Sequence, residues 1–380
     1  FECATWFAGS TTVCPLVNGF PCPPPEPESS REPLLGRLAR LYTDYLVRNQ
    51  SDDGRMVSWY EPFQNRLYRE ESPPRSAHVA WTLARARSDL KEERLREARD
   101  RAVDCQLRHI DTAEDGTWIG PADDGATVSE AAFTLLALCA LPVGDPRVNH
   151  APALAETLWA SIDIHGRIST HRSNGVVISA AELDAFQDYF PAQVLLALAK
   201  SAQAGFSDVQ EERLLRAFRY YRHRFRYKRN FGQVSWLMQA MTEWYFVSAE
   251  SEYADLTFEI CDWVLQYQQE KTGGFINDHQ PDSPGFTTAL YLEGVAAAAR
   301  LAQSLADTQR YERYLDSFTR GIRFIERITI QERDAPVLPN ARYALGGLRQ
   351  SIYLSQVRTD FVQHGLSAIL GFDQLRYGER

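Results

Sequence analysis

The sequence predicts an all-α fold, an (α/α)6 toroid in which six helix pairs close into an inner and an outer ring. First, a glycine-centred turn recurs six times at a mean spacing of about 59 residues, which marks a repeat architecture. Second, the helical segment before each turn is amphipathic, whereas the segment after it is apolar on nearly all sides and must be buried. Third, the loop lengths vary between repeats, whereas an open solenoid keeps a stricter period. The turns are centred on Gly54, Gly116, Gly166, Gly232, Gly274 and Gly347.

The N-terminal residues differ in composition from the rest of the chain. We expect residues 1–28 to form an irregular Cys/Pro-rich arm and residues 29–380 to form the toroid domain. The stretch Pro21–Pro27 is rich in proline, which fixes φ and excludes a helix or a central strand. Ser29 and Glu32 then form a capping box ahead of leucines at helical spacing. The first helix therefore begins directly after the arm.

Twelve helices alternate between the two rings. The outer helices are predicted at Pro33–Asn49, Leu90–Leu107, Ala151–Ile162, Ser207–Tyr227, Ser251–Gln269 and Thr308–Ile328. The inner helices are predicted at Ser76–Ala86, Val128–Ala140, Phe190–Ala202, Ser235–Val247, Thr287–Leu305 and Phe361–Leu370. In a closed ring, the loops from each outer helix to the following inner helix lie at one mouth of the barrel. Function is expected at that mouth, because residues from several repeats converge there.

Composition excludes several classes of protein. The chain has 380 residues, 44% of them hydrophobic and 24% charged, as in globular proteins. It contains no apolar run of about 18 residues, so a transmembrane segment is not expected. The 41 basic and 50 acidic residues give a net charge of −9. A nucleic-acid partner is not expected either, because phosphate contacts need a basic face.

The six cysteines fall into two groups. Three lie in predicted helices and have the pattern of small buried hydrophobes: Cys105, Cys139 and Cys261. Three crowd the arm without metal-ligand spacing: Cys3, Cys14 and Cys22. A disulfide among these three would imply export. The chain also begins at Phe1 rather than Met, which is consistent with a removed signal peptide, so we expect an exported protein, periplasmic or secreted, over a cytoplasmic one.

Two fragments resemble the repeats of the α/α-toroid enzymes: AEDGTWIGPADDGATVSEAAFTLLAL and QQEKTGGFINDHQPDSPGFTTALYLEG. This group includes terpenoid cyclases, protein prenyltransferases, polysaccharide lyases, sugar epimerases and glycosidases, and the similarity extends from Pro33 to the C-terminus. The resemblance implies the fold, but the fold does not determine the reaction.

Two branches of that group lack their characteristic residues here. The D-x-D-D and D-D-x-x-D runs of terpenoid cyclases are absent, since the pairs Asp52-Asp53 and Asp123-Asp124 both stop at a glycine. Prenyltransferases and lanthionine-type cyclases need cysteine and histidine zinc ligands, and Cys261 is the only late cysteine. We therefore expect no metal and no cofactor. The remaining similarity is to sugar-active toroids such as the uronyl C5-epimerases, whose inner helices resemble YFPAQVLLALAK.

Aromatic residues are frequent in the loops and at the starts of the inner helices. They are Trp59, Tyr60, Tyr68, Trp118, Tyr189, Trp236 and Phe286. Aromatic faces at the mouth would suit stacking on sugar rings, although half of these residues could equally belong to the core. Tyr60, Trp118 and Trp236 are the candidate substrate-binding aromatics.

Carboxylates provide the candidate acids and bases. Glu243 and Glu293 interrupt otherwise apolar inner helices, and a buried carboxylate needs a partner or a raised pKa. A structural role, in which each is paired with an arginine or caps a neighbouring helix, explains the pattern equally well. Asp188 and Asp278 are further candidates in loops, together with Asp123, Asp124, Glu182 and Asp184.

Basic residues form the third candidate set. Arg75 and His78 enter the first inner helix, and His279 lies in the fifth loop. Asp360 and His364 are four residues apart and so share one helical face, either as an oriented general base or as a packing pair. The first and last repeats must meet when the ring closes. Arg75 and Arg358 could therefore hold an anionic group together.

These residues favour a carbohydrate-active enzyme that uses acid/base catalysis on a polysaccharide or oligosaccharide, including uronate-containing ones. Hydrolysis would use two carboxylates, Glu243 with Asp188 or Glu293. Lyase or epimerase chemistry would instead move a proton through His364, His78 or Tyr189. The alternatives are a terpenoid-cyclase-like enzyme with an apolar cavity and a non-catalytic scaffold that binds glycans or peptides.

Overall fold

Two concentric rings of helices make up most of the computed structural model, which describes residues 6–8, 13–17, 20–21, 33–68, 72–86, 93–120, 125–172, 178–278 and 280–377. The outer ring consists of α1 (Leu34–Arg48), α3 (Glu93–Leu107), α5 (Ala151–Ala160), α8 (Glu211–Tyr227), α10 (Ser251–Val264) and α12 (Thr308–Ile328). The inner ring consists of α2 (Pro73–Arg85), α4 (Val128–Cys139), α7 (Phe190–Gln203), α9 (Phe231–Ser248), α11 (Thr287–Ser304) and α14 (Thr359–Tyr377). Short helices α6 (Ala180–Phe186) and α13 (Ala341–Ala344) lie in connections.

The inner ring is closed. Each inner helix packs against the next, and α14 returns to pack against α2. The predicted (α/α)6 toroid is therefore confirmed, and the open solenoid is excluded, because a solenoid leaves its first and last repeats apart.

Burial follows the pattern that distinguished the two rings in the sequence. In the inner helix α4, the eleven residues from Val128 to Leu138 are all buried. In the outer helix α12, burial recurs every three or four residues, at Tyr314, Phe318, Ile322 and Ile325, while the opposite face is polar. The inner helices therefore have neighbours on all sides and carry the side chains that meet at the barrel centre.

The predicted turn at Gly232 is wrong. The structure places Gly232 in the first turn of α9, because the Oδ1 atom of Asn230 accepts hydrogen bonds from the backbone nitrogens of Gly232 and Gln233. As a result, α9 begins at Phe231, four residues before the predicted start at Ser235. In the last two repeats the left-handed turn residue is Gly273 or Gly346, one position before the predicted glycine.

The turn of the last repeat packs directly against the first helix. Gly346 has a φ of +77°, and a Cβ there would lie 2.1 Å from the carbonyl oxygen of Leu41 in α1. Only glycine allows both this conformation and this approach. The same close contact with a backbone carbonyl of the following outer helix is made by Gly54, Gly166 and Gly273. Thus the sixth repeat packs on the first as the first, third and fifth repeats pack on their successors.

Short strands occupy parts of the connections that the sequence predicted as loops. Strands β4 (Trp59–Glu61), β5 (Arg66–Tyr68) and β8 (Val357–Arg358) form an antiparallel sheet in the order β5-β4-β8, and β6 (Ile110–Ala113) pairs with β7 (Gly116–Ile119). Strand β8 belongs to the last repeat and β4 to the first. Their pairing is a second backbone link across the closure of the ring.

The N-terminal arm carries three short antiparallel strands, β1 (Trp6–Ala8), β2 (Val13–Val17) and β3 (Phe20–Pro21). The Phe20 ring lies 4.8 Å from the Phe63 ring, and the Arg349 guanidinium lies 4.2 Å from the Phe20 ring centre. Phe20 therefore docks the arm onto the toroid. Cys3 and Cys22 lie outside the described residues.

The three helical cysteines are all free thiols, with Cys105 and Cys261 buried and Cys139 partly buried. This burial agrees with their interpretation as small hydrophobic residues. Within the part of the chain that the structure describes, no helix is both long and apolar enough to cross a membrane.

Candidate active site

A buried hydrogen bond joins two inner helices at the barrel centre. His364 on α14 places its Nδ1 atom 2.6 Å from the Oε1 atom of Glu293 on α11. The Glu293 side chain is 1% exposed and that of His364 is 12% exposed. The second carboxylate oxygen of Glu293 accepts a longer hydrogen bond, 3.4 Å, from Nε2 of Gln239. Glu293 thus has the partner that a buried carboxylate requires.

The expected pairing of His364 with Asp360 is not what the structure shows. Asp360 instead accepts two hydrogen bonds from Arg358, at 2.6 and 2.9 Å, and lies 3.4 Å from Nε of Arg75. A guanidinium pairs with both oxygens of a carboxylate, and this geometry leaves Asp360 committed to the arginines. The two arginines do meet at the closure of the ring, but the anionic group between them is the protein's own Asp360.

His78 lies beside this pair. Its ring centre is 5.0 Å from that of His364, and its Nδ1 atom is 2.7 Å from Nε2 of Gln363. The other ring nitrogen, Nε2, is buried and has no hydrogen-bond partner among the described residues. Burial lowers the pKa of His78 well below its ordinary value of 6.5, and the nearby His364 and Arg85 act in the same direction. His78 is therefore neutral at physiological pH.

Three aromatic rings enclose the two histidines. Phe133 stacks on His78 at 4.5 Å, and Trp236 lies 5.3 Å from both Phe133 and His78. Trp81 closes the group at 6.3 Å from Trp236. Of these rings, only Trp236 was a candidate from the sequence. The other two were missed, since an aromatic residue on a buried helix has the same appearance whether it faces the barrel centre or a neighbouring helix.

His78, Glu293 and His364 are residue types that can bind a metal ion. Single ligand atoms of His78, Glu293 and His364 all lie within 4.8 Å of one another. Two ligands of a tetrahedral zinc ion at 2.0–2.1 Å are separated by about 3.3 Å. The Glu293–His364 contact of 2.6 Å is shorter than that separation. In the present arrangement this contact is therefore a hydrogen bond, and a metal would have to displace it.

Glu243 belongs to a separate cluster of charges nearer the end of α9. Its carboxylate lies 2.7 Å from Nζ of Lys200, accepts a hydrogen bond from Gln203 at 2.9 Å, and is paired with Arg300. Burial alone would raise the pKa of Glu243, but the charges of Lys200 and Arg300 outweigh it and lower the pKa to about 2. This pairing explains the burial of Glu243 without a catalytic role.

Asp188 and Tyr189 precede α7. Asp188 accepts hydrogen bonds from Arg224 at 2.6 and 2.9 Å and from Gln233 at 3.3 Å. Tyr189 is exposed, and partial burial of its ring raises the pKa of its hydroxyl. Asp188 therefore links the outer helix α8 to the inner helix α9. It is not part of the contact between His364 and Glu293.

The remaining candidates from the sequence are dispersed. Tyr60 is completely buried and donates a hydrogen bond to Asn65 at 3.0 Å, and Trp118 is only 6% exposed. Both belong to the core and cannot stack on a ligand in this conformation. Asp278 is exposed, and His279 lies outside the described residues.

Arg85 was missed by the sequence analysis. It lies in the last turn of α2, its Nη2 atom donates a hydrogen bond to Oγ of Ser367 at 2.6 Å, and its guanidinium lies 3.7 Å from the centre of the Trp81 ring. Burial lowers the pKa of Arg85 to about 10, whereas the charges of Glu293 and Glu243 act in the opposite direction. In the sequence, its position could have been noticed because Arg85 directly follows the apolar stretch AHVAWTLA.

Comparison with known proteins shows solved structures that share this fold. No protein-family model and no curated protein matches the sequence. Similar solved structures include a sugar epimerase from a ruminal bacterium, with a TM-score of 0.62 and 13% identity over 90% of this chain and 99% of that chain. The chain is an (α/α)6 toroid. An unsaturated glucuronyl hydrolase specific for heparin has a TM-score of 0.61 at 11% identity, covering 90% and 98% of the two chains. A type II terpene cyclase from Scytonema has a TM-score of 0.55 at 13% identity, with the same coverage.

Proposed function

We propose that this protein is a carbohydrate-active enzyme of the epimerase or isomerase type, which moves a proton at a carbon next to a sugar carbonyl. The observation that carries the proposal is the buried His364–Glu293 hydrogen bond beside the unpartnered Nε2 atom of His78. A histidine oriented by a carboxylate is a suitable general base near neutral pH.

His364 is the base in this proposal. Its Nδ1 atom is engaged by Glu293, so Nε2 is the nitrogen that faces a substrate. Nε2 takes the proton from the carbon next to the carbonyl, and Glu293 stabilises the imidazolium that forms. When the intermediate turns its other face to His364 before the proton returns, the product is the epimer. Return of the proton to the neighbouring carbon gives the isomer.

His78 stabilises the intermediate. With the amide nitrogen of Gln363 donating to Nδ1, the Nε2 atom of His78 carries the ring proton. A shift of the surrounding side chains that exposes this buried atom allows it to donate a hydrogen bond to the carbonyl oxygen. Negative charge develops on that oxygen as the carbon is deprotonated, and a pre-oriented donor in a buried site stabilises it. The lowered pKa of His78 keeps this imidazole neutral, so that it does not compete for the proton that His364 takes.

Two-carboxylate hydrolysis has less support. A general acid must be protonated when substrate binds, whereas the pKa of Glu243 is held at about 2 by Lys200 and Arg300. Asp188 is engaged by Arg224 on the outer ring. Glu293 is therefore the only one of the three candidate carboxylates that contacts a histidine.

A terpenoid-cyclase-like reaction is the second candidate, favoured by the aromatic group of Trp81, Phe133 and Trp236, since aromatic faces stabilise carbocations. The type II terpene cyclase of similar fold adds support. A hydrocarbon, however, would leave the buried Nε2 of His78 unpartnered, whereas a sugar hydroxyl or carbonyl would pair with it. This difference favours the sugar.

Proton exchange provides the test. The protein is incubated in D2O with a panel of neutral and uronate-containing mono- and disaccharides, and exchange of the carbon-bound hydrogen is followed by NMR. We expect exchange with the native protein and a loss of roughly 10²–10⁴-fold in His364→Gln. His223→Gln, an exposed histidine on α8, serves as the matched control and should exchange at the native rate. Native exchange in a folded His364→Gln variant would overturn the proposal, as would consumption of isoprenoids with no exchange on any sugar.

A further inference from the structure

Arg85 has no carboxylate partner, in contrast to two other arginines that are largely buried. Arg172 is paired with Asp111 and Asp115, and Arg300 with Glu243. No carboxylate oxygen of the described residues lies within 4.0 Å of a nitrogen of Arg85. Within the same part of the chain, its one hydrogen bond is to the neutral hydroxyl of Ser367, and its Nε atom is buried without a partner. A guanidinium that is removed from water normally pairs with an anion.

The Arg85 side chain is held by protein on two sides and is only partly buried. Part of it therefore stays accessible to a ligand. Trp81 covers one face of the guanidinium at 3.7 Å, and the Ser367 hydroxyl holds one end. These contacts orient the group and leave the buried Nε–H without a bond.

Arg85 lies on the same face of α2 as His78. The two residues are seven positions apart, which is almost two full turns of helix and about 10 Å along its axis. The nearby Glu293 and Glu243 influence Arg85 through their charge without contacting it. This separation is comparable to the length of a disaccharide.

We propose that Arg85 binds an anionic group of the substrate, so that the sugar acted on by this site carries a carboxylate or a sulfate. The inference rests on the proposed function for the identity of the ligand as a sugar. Guanidinium groups bind both oxyanions through paired charge-assisted hydrogen bonds, and the ligand would supply the contacting anion that Arg85 lacks among the described residues.

Calorimetric titration tests this assignment with three matched disaccharides: one neutral, one with a carboxylate at C6 and one sulfated. We expect the native protein to bind an anionic disaccharide roughly ten- to a hundredfold more tightly than the neutral one, the range expected for one charge-assisted hydrogen bond. Arg85→Gln should lose that preference and bind the neutral disaccharide as before, and Arg85→Lys should retain part of it. Arg94→Gln, the same change at an exposed position on α3, is the control and should keep the native preference. The carboxylate and sulfate arms identify which oxyanion is bound.

Equal binding of charged and neutral disaccharides by the native protein would overturn the assignment, whether or not Arg85→Gln folds. So would an undiminished preference for the anion in a folded Arg85→Gln variant. Deuterium exchange separates this failure from failure of the proposed function. Exchange on neutral sugars, unchanged in Arg85→Gln, would contradict only the role of Arg85. Arg85-dependent stabilisation of the fold by inorganic sulfate, without exchange on any sugar, would contradict only the proposed reaction.

Discussion

The imidazole of His364 is bound to Glu293 across the interface of two inner helices, although Asp360 lies one helical turn away on its own helix. The charges around the two carboxylates explain why His364 pairs with Glu293 and not with Asp360. Asp360 is neutralised by Arg358 and Arg75 at the closure of the ring, whereas the buried Glu293 contacts no lysine or arginine of the described residues. The buried carboxylate therefore orients the histidine, and their contact lies beside His78 at the barrel centre.

Replacing Glu293 should affect the reaction more than replacing Asp360. Glu293→Gln keeps the shape of the side chain and a hydrogen-bond acceptor but removes the charge that stabilises a protonated His364. We expect deuterium exchange to fall by more than roughly tenfold, because general-base catalysis contributes on the order of 10²–10⁴-fold and depends on the orientation and charge of His364. Asp360→Asn should have a smaller effect, because the ion pairs of Asp360 are with arginines at the closure of the ring and not with His364. A larger loss in Asp360→Asn than in Glu293→Gln would contradict the role given to Glu293.

Removing the carboxylate of Glu243 should destabilise the protein. Glu243→Gln leaves the charges of Lys200 and Arg300 close together without a counter-ion, a change that costs about 3–5 kcal/mol when one member of a buried ion pair is removed. Urea denaturation measures the loss, and the double variant with Lys200→Met should recover part of it. Unchanged stability combined with abolished turnover would instead support the catalytic role that the sequence suggested for Glu243.

Stability should fall as the solution becomes acidic, in two stages. The folded-state pKa of His78 lies well below 6.5, so from about pH 6.5 downward the unfolded chain takes up a proton that the folded protein does not. The pKa of Glu243 is about 2 when folded against an ordinary 4.5, so its contribution is complete above pH 4.5 and is lost as the pH falls toward 2.

The unfolding temperature, measured from pH 8 to pH 3, tests whether stability falls with pH because of His78. His78→Asn should weaken the decline between pH 6.5 and 5, since this side chain no longer titrates. Exposed His223→Asn should leave the native slope. A native protein that becomes more stable over that interval would contradict the assignment of a neutral, buried His78.

Replacing Gly346 at the closure of the ring should lower the free energy of unfolding through both a steric clash and an unfavourable backbone conformation. Gly144, which has only the unfavourable conformation, separates the two effects. Gly346→Ala places a Cβ 2.1 Å from the Leu41 carbonyl, in a backbone conformation with a φ of +77°. Gly144 has a φ of +88°, but an added Cβ there would have no atom within 4 Å, so Gly144→Ala incurs only the conformational cost, about 1–3 kcal/mol. We expect Gly346→Ala to lose clearly more in urea denaturation. Equal losses would mean that α1 yields to the added methyl group.

The helices could be predicted because their signals lie within single segments. The outer helix Thr308–Ile328 has the predicted bounds, and the alternation of apolar and amphipathic helices identified both rings. The contacts at the barrel centre could not be predicted in the same way. Helical spacing shows that Asp360 and His364 share a face, but it does not show that Glu293 approaches from the next helix.

Aromatic and charged residues illustrate the same limit. Tyr60 and Trp118 were predicted at the mouth but are buried, because their segments pair as strands rather than forming open loops. The apolar stretch before Arg85 indicates that its side chain is buried but not what it binds, because that depends on the absence of a carboxylate among the described residues of the neighbouring helices. These contacts between helices are set by the closed ring and have no counterpart in the sequence of a single segment.

The contact of α14 with α2 determines how the protein unfolds. In a linear array of repeats, the end units have one neighbour each and can fray while the middle persists. Here every inner helix has a neighbour on both sides, so no repeat is terminal. Loss of any one pair would expose apolar faces on the two pairs beside it. Unfolding should therefore be a single cooperative event of the whole ring.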